Sequence, residues 1–243
     1  MSKFNFILIT ALIFTFFLSS SNVNAINFDI VNNPTSNIKS STGYFKSVTD
    51  FVIAFNNARQ LDNTVSKNKK SLMLTAYFDL LSKKDQIQVI LDSERDARGL
   101  TLNYTNHPRL NSISQAYAQA LNNTGQFTHT LNNTTPWTRM DSDVSIKNCR
   151  EFHKYGESLF RGWSTGKSTI LWHLYSIYGF IYDDAGSNWG HRMHLLSNYN
   201  NNHFTPDNKE GYIGIGILET TTGDKKMVHV VINSFDPKPS CRI

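Results

Sequence analysis

The chain opens on an apolar run from Phe4 to Leu18, preceded by Lys3 and closed by Ser19, Ser20 and Ser21. With Val23-Asn24-Ala25 behind it, this run predicts a signal peptide over residues 1–25 and a mature chain starting at Ile26. The run is shorter than the roughly 20 residues a membrane-spanning helix needs. No later segment is apolar enough to span a bilayer, so no transmembrane segment is expected after cleavage. Residues 26–44 are polar, with Asn-Asn-Pro and Ser-Ser-Thr-Gly clusters, and read as a linker. Apolar positions then recur at three-to-four spacing from Val48 to Leu81. Phe51, Val52, Phe55 and Ala58 form one set, and Leu74, Tyr77, Phe78 and Leu81 another, with Lys67–Lys70 as a solvated turn between two helical stretches. Residues 26–81 are thus a linker and helical extension.

From Ser82 the pattern tightens. Ser82 caps a helix carrying Ile87, Ile90 and Leu91 on one face and ending at Gly99. Pro108 suits a first helical turn. Leu110, Ile113, Ala116, Tyr117 and Ala120 form the stripe of a second helix, which Gly125 stops. Ser168 caps a third helix. Its Ile170, Leu171, Leu174, Tyr175, Ile177, Tyr178 and Ile181 make it apolar on more than one side, hence central. Gly156–Trp163, Tyr212–Glu219 and Met227–Phe235 read as strands, the last two joined by a turn at Thr222-Gly223-Asp224. Helices followed by a small antiparallel sheet give an α+β fold, with helical layers packed on the sheet.

Composition changes this picture little. The net charge of +5 is scattered, without a dense basic run interleaved with aromatics, so nucleic acid is not an expected partner. Gly162-Trp163-Ser164-Thr165-Gly166-Lys167-Ser168 resembles a phosphate-binding loop. It has three residues between its glycines where four are needed, and nucleotide binding is set aside. Cys149 and Cys241 are the only cysteines, which excludes a metal cage built mainly of thiolates. They leave two alternatives in an exported chain, one disulfide or two free thiols.

The chemistry is concentrated in three stretches. Gly125-Gln126-Phe127-Thr128-His129-Thr130 follows the second helix. Tyr155-Gly156-Glu157-Ser158 comes next, and then Asp183-Asp184-Ala185-Gly186-Ser187-Asn188-Trp189-Gly190-His191-Arg192. Each sets an ionisable side chain near a glycine, where backbone can bend or approach a ligand closely. Two imidazoles and two or three carboxylates lining one cleft can bind a divalent metal, or hold a water between an acid and a base. Each also has a structural reading: a turn histidine at 129, a helix-capping histidine at 191, a bracing carboxylate at 157.

The order Phe-Thr-His, Gly-Glu-Ser, Gly-His-Arg and then Gly214-Ile215-Gly216 resembles the CAP superfamily, which comprises cysteine-rich secretory proteins, antigen 5 and the pathogenesis-related class 1 proteins. Glu94-Arg95-Asp96-Ala97-Arg98-Gly99-Leu100, Pro108-Arg109-Leu110 and Ala116–Ala120 resemble its opening helices, so the likeness runs from about Gln86 to Ser234. It implies an SCP-like domain at 82–243. The fold would be a three-layer α-β-α sandwich with a central antiparallel sheet, able to fold without the extension.

The resemblance also implies a cavity lined by His129, His191, Glu157 and a second acid, Asp184 or else Asp183. Ser158 stands where asparagine is usual. His194 stands where the Gly-His-Arg motif usually runs on to asparagine, and can face the same cleft one helical turn after His191. The implied function is binding by a secreted or periplasmic protein, with a lipid or sterol, a polysaccharide, a metal or a protein as ligand. Zn²⁺ on His129 and His191 is the expected metal, with Glu157 and Asp184 orienting the rings. The alternative is a metal-assisted hydrolase with Glu157 as general base.

Overall fold

The computed structural model describes residues 33–64, 70–98, 100, 103–166, 169–196 and 211–241, together with the short strands β1 (Phe28–Asp29) and β4 (Asn198–Tyr199), which pair antiparallel. The expected signal peptide and the cap at Ser168 lie outside these residues. In chain order the other elements are α1 (Val48–Leu61), α2 (Lys83–Ala97), β2 (Tyr104–Asn106), α3 (Pro108–Thr124), α4 (Pro136–Asp141), α5 (Val144–Cys149), β3 (Arg150–Thr165), α6 (Trp172–Tyr182), α7 (Gly190–Leu196), β5 (Gly211–Thr222) and β6 (Lys225–Pro237).

The main sheet has the order β2-β5-β6-β3. Strands β5, β6 and β3 are antiparallel neighbours, whereas β2 runs parallel to β5. The expected antiparallel sheet is therefore mixed at one edge. The β5–β6 hairpin closes over Gly223, whose φ of +62° favours a residue without a side chain.

Strand alternation creates the layers. Val228, Val230 and Ile232 of β6, Ile213 and Ile215 of β5 and Phe160 of β3 join one core with α1, α2 and α6. The intervening residues Val231 and Leu159 pack instead with Tyr117, Ala118 and Leu121 of α3. The result is an α+β sandwich with helices on both faces. Gly214 and Gly216 set how close α3 can come: a Cβ at either would run into the α3 backbone, at Leu110–Asn111 and Ser114–Gln115.

Several helix ends form as their sequences predict. Ser82 accepts the Asp85 N–H, and Gly125 closes α3 with φ +68°. The third helix starts at Trp172 behind Leu171, which carries no side-chain cap. The second stretch of the extension departs from expectation. After α1 the described chain is irregular, with only a 3₁₀ turn at Phe78–Leu80. At its start the Asn56 side chain of α1 accepts the Leu72 N–H (2.6 Å) and donates to the Leu72 carbonyl (3.3 Å), holding the chain extended there. Leu72 and Phe78 are then buried one at a time, while Met73, Tyr77 and Leu80 face solvent.

The core crosses the boundary at Leu81. Phe45, Phe51, Phe55 and Ala58 are fully buried in the same cluster as Ile177, Tyr178 and Tyr182 of α6. Buried ion pairs reinforce this join. Arg59 of α1 pairs with Glu94 of α2 at 2.7 Å. Asp62 pairs with Arg98, at the end of α2, at 2.9 Å and with Arg192 of α7 at 2.8 Å. Burial alone would raise the Glu94 pKa, but Arg98, Arg59 and the Tyr182 hydroxyl bring it below the ordinary range.

Candidate functional site

The three motif stretches converge on β3, the edge strand of the sheet, from its two faces. Glu157 stands opposite Asn233 of β6, whose amide donates to Ser114 of α3, so both residues face the α3 side. Gly156 and Ser158 point the other way, toward α7.

On the α3 side, Glu157 is almost wholly buried and fully engaged. Its Oε1 lies 2.8 Å from Nδ1 of His129, and Nη2 of Arg139 donates to both carboxylate oxygens at 2.9 and 2.7 Å. The same nitrogen donates to the His129 carbonyl at 3.1 Å, and Nη1 reaches the Thr134 carbonyl at 3.1 Å. The Arg139 guanidinium lies over the Tyr117 ring, 3.3 Å from its centroid, while the Tyr117 hydroxyl donates to the Thr128 carbonyl at 2.6 Å. Burial pushes the Tyr117 pKa up to about 12; Arg139 opposes the shift and Glu157 adds to it. Arg139 was not predicted from the sequence. It sits on α4, a helix too short for periodicity to reveal.

On the α7 side, Asp184 organises the chain before the helix. Its Oδ1 lies 2.7 Å from Nδ1 of His191, and its Oδ2 accepts the N–H groups of His191 and Arg192 at 2.9 and 3.1 Å. Its own carbonyl accepts from Ser187 and Trp189. Asn188 and Trp189 take φ of +52° and +61° in this turn. Trp189 is a bulky residue in the left-handed region, a local strain that the Asp184 contacts hold in place. His191 is itself buried, with Phe180 against it at 4.7 Å between ring centroids, and its Nε2 has no hydrogen-bond partner among the described residues.

His194 is half-buried, with a hydroxyl at each ring nitrogen. Nδ1 lies 2.7 Å from Ser158 Oγ and Nε2 lies 2.8 Å from Ser234 Oγ. The ring covers Gly156, where any Cβ would collide with it. Burial first, and then interaction with the neighbouring His191 and His129, push its pKa down to about 3, so it stays neutral at physiological pH.

Asp183 turns elsewhere. It pairs with Lys39 of the N-terminal segment at 2.7 Å, and burial raises its pKa against the pull of that lysine. The structure thus forms two histidine–carboxylate pairs, His129–Glu157 and His191–Asp184, with His194 between serines and Asp183 outside the set. Among the described residues, no group of three His, Cys, Asp or Glu side chains is placed to hold a metal ion. His107 caps α3, and His173 and His229 are buried with their pKa values pushed down to about 4 by burial. Of the two alternatives for the cysteines, the disulfide is the one that forms, between Cys149 and Cys241.

No family model matches the chain, and no curated protein matches it. Among solved structures it is similar to an outer surface protein of Borrelia burgdorferi, at 19% identity. That likeness covers 65% of this chain and 97% of the other, with a TM-score of 0.37. It is also similar to an extracellular protein containing an SCP domain from Bacillus anthracis, at 14% identity and TM-score 0.37. That match covers 67% of this chain and spans 45% of the Bacillus protein. The chain itself has an α+β layering, with helices packed on both faces of the sheet. Among the described residues no helix is long and apolar enough to cross a membrane.

Proposed function

We propose that this is an exported CAP-like protein that acts by binding a ligand at the β3 edge rather than by hydrolysing one. The observation that carries this reading is the state of Glu157. A general base needs a carboxylate free to take a proton. Glu157 is clamped by Arg139 through both oxygens and shares Oε1 with His129, so its charge is already used. Asp184 is likewise occupied by one ring and two backbone N–H groups. Ser158 is fully buried, which removes it as a nucleophile open to substrate. The disulfide between Cys149 and Cys241 supports an oxidising, extracytoplasmic location.

A divalent cation bound here would have an open arrangement, with His129 and His191 as its protein ligands. Each of His129 and His191 has a carboxylate on Nδ1, the backing that orients histidine ligands, and with Nδ1 protonated the unpartnered Nε2 of His191 presents a buried lone pair. His194 adds nothing, since both its nitrogens are taken. Water would complete the shell. The purified mature protein is expected to leave casein and simple esters intact with and without chelator. Chelator-sensitive turnover lost in Glu157→Gln would overturn the binding reading. Calorimetric titration of chelator-stripped protein with Zn²⁺ is expected to give modest binding that His129→Ala and His191→Ala each weaken strongly. Equal binding in both variants would remove the metal from the reading.

A further inference from the structure

We propose that residues 37–39 form a releasable clasp on the turn between α6 and α7, and that its release governs when a ligand can reach Nε2 of His191. The inference rests on the reading of His191 as a ligand-facing group, and its test uses no ligand.

His191 is closed off from solvent. Only 2% of it is exposed, and its Nε2 is buried without a hydrogen-bond partner among the described residues. A buried polar atom left unpaired is costly, and native structures rarely keep one without a use. A group entering from solvent reaches that nitrogen only after the ring or its surroundings move. The ring goes where Asp184 goes: that carboxylate lies 2.7 Å from Nδ1 and accepts the His191 N–H at 2.9 Å. Asp184 itself opens the strained turn that runs through Asn188 and Trp189.

The N-terminal segment brackets Asp184 on both sides. Nζ of Lys39 donates to the two oxygens of Asp183 at 2.7 and 2.9 Å, and Oδ1 of Asn37 accepts the Ala185 N–H at 2.6 Å. Between them the Ile38 N–H donates to the Tyr182 carbonyl at 2.8 Å, and the Tyr178 hydroxyl donates to the Ile38 carbonyl at 3.0 Å. Three successive residues thus hold the end of α6 and the start of the turn. They hold it weakly. The Lys39 side chain is 71% exposed, and an ion pair so open to water contributes little and is screened by salt. Residues 33–44 form no helix or strand, while Phe45 behind them is fully buried in the core, so the clasp can lift with α1 still docked. The His129 side has no such exposed member: Arg139 and Glu157 are 10% and 1% exposed.

Footprinting the mature protein with diethyl pyrocarbonate, which acylates neutral imidazole, tests this at neutral pH, with mass spectrometry reading each histidine. His191 is expected to react slowly in the wild type. Lys39→Glu sets a carboxylate against Asp183, and Asn37→Ala removes the acceptor of the Ala185 N–H. Each should speed the reaction of His191 about ten-fold, the shift that follows loss of one such contact. Lys39→Arg, which keeps the charge, should keep the wild-type rate. His173 and His229 are buried, and pKa values of about 4 leave them neutral, so unchanged slow rates there show that the fold is intact. A wild-type His191 that reacts as fast as free histidine, an unchanged rate in both Lys39→Glu and Asn37→Ala, or a rise at His173 and His229 alongside His191 would each overturn the proposal. The Zn²⁺ titration answers a separate question: the clasp can fail where zinc binds, and hold where zinc does not.

Discussion

Removing Asp62 should unbalance the join between α1 and the rest of the fold. Its carboxylate is fully buried and accepts from Arg98 at 2.9 Å and Arg192 at 2.8 Å. It also accepts from the Thr64 N–H at 2.9 Å and the Thr64 hydroxyl at 2.6 Å. In Asp62→Ala, Arg98 keeps Glu94, whereas the fully buried Arg192 loses the Asp62 carboxylate and keeps the Ile181 carbonyl and the Thr64 hydroxyl. Removing one partner of a buried pair costs about 3–5 kcal/mol, against a total stability of about 5–15 kcal/mol. The pH dependence has a definite sign. Burial alone would raise the Asp62 pKa, but Arg192 and Arg98 lower it from 3.8 to about 2. That depression contributes about 2 kcal/mol. That contribution is complete above roughly pH 5 and is lost as pH falls toward 2. Urea unfolding followed by circular dichroism, at pH 7 and at pH 3, measures both effects. The wild type should lose part of this stability at pH 3, and Asp62→Asn should lose less of it than the wild type does. If Asp62→Ala lies within about 1 kcal/mol of wild type at pH 7, the ion pairs are not what holds α1 in place.

Gly216→Ala should cost about 1–3 kcal/mol or more, because its Cβ meets the backbone of Ser114 and Gln115, which cannot swing aside as a side chain can; an unchanged thermal midpoint would refute this. The Cys149–Cys241 bridge spans 92 residues of sequence, so reduction should lower stability by about 2–4 kcal/mol, read as a shift in the urea midpoint with and without dithiothreitol. The 82–243 fragment lacks Phe45, Phe51, Phe55, Arg59 and Asp62, and is expected to be insoluble or to bind a hydrophobic dye without a cooperative melt. A soluble fragment with a sharp transition would show that the core downstream of Leu81 suffices. His194→Asn should cost about 1–3 kcal/mol, since one amide reaching only one of Ser158 and Ser234 strands the other hydroxyl; a wild-type midpoint would count against it.

How much was legible depended on length and locality. The helices α2 and α3 announced themselves through caps and stripes, since Ser82, Pro108 and Gly125 act within a turn of their own positions. Strands β5 and β6 did so as two strand stretches joined by the Gly223 turn. The stretch from Leu74 to Leu81 carried a helical spacing yet forms only a 3₁₀ turn, and it enters from Leu72, whose backbone groups are taken by Asn56, sixteen residues before it. Spacing reports what one side of a helix would bury, and has no access to a side chain arriving from another element. The same limit hid Arg139. His129 and Glu157 were marked by their motifs, but the arginine that holds them is marked only by geometry.

The two departures from the CAP-like pattern, Ser158 and His194, turn out to be one structural unit. They are 36 residues apart in sequence and bonded at 2.7 Å. Ser234 closes the other side of the ring, opposite Gly156 across the β3–β6 pair. Histidine fills this space with a nitrogen at each end, matching the two serine hydroxyls. A half-buried imidazole wedged between hydroxyls and covering a glycine has both nitrogens satisfied, and its pKa of about 3 keeps it uncharged. That argues against the reading in which His194 adds a ligand to the cleft. It makes His194 the wall on which the β3 edge rests, while the Nε2 of His191 beside it still lacks a partner among the described residues.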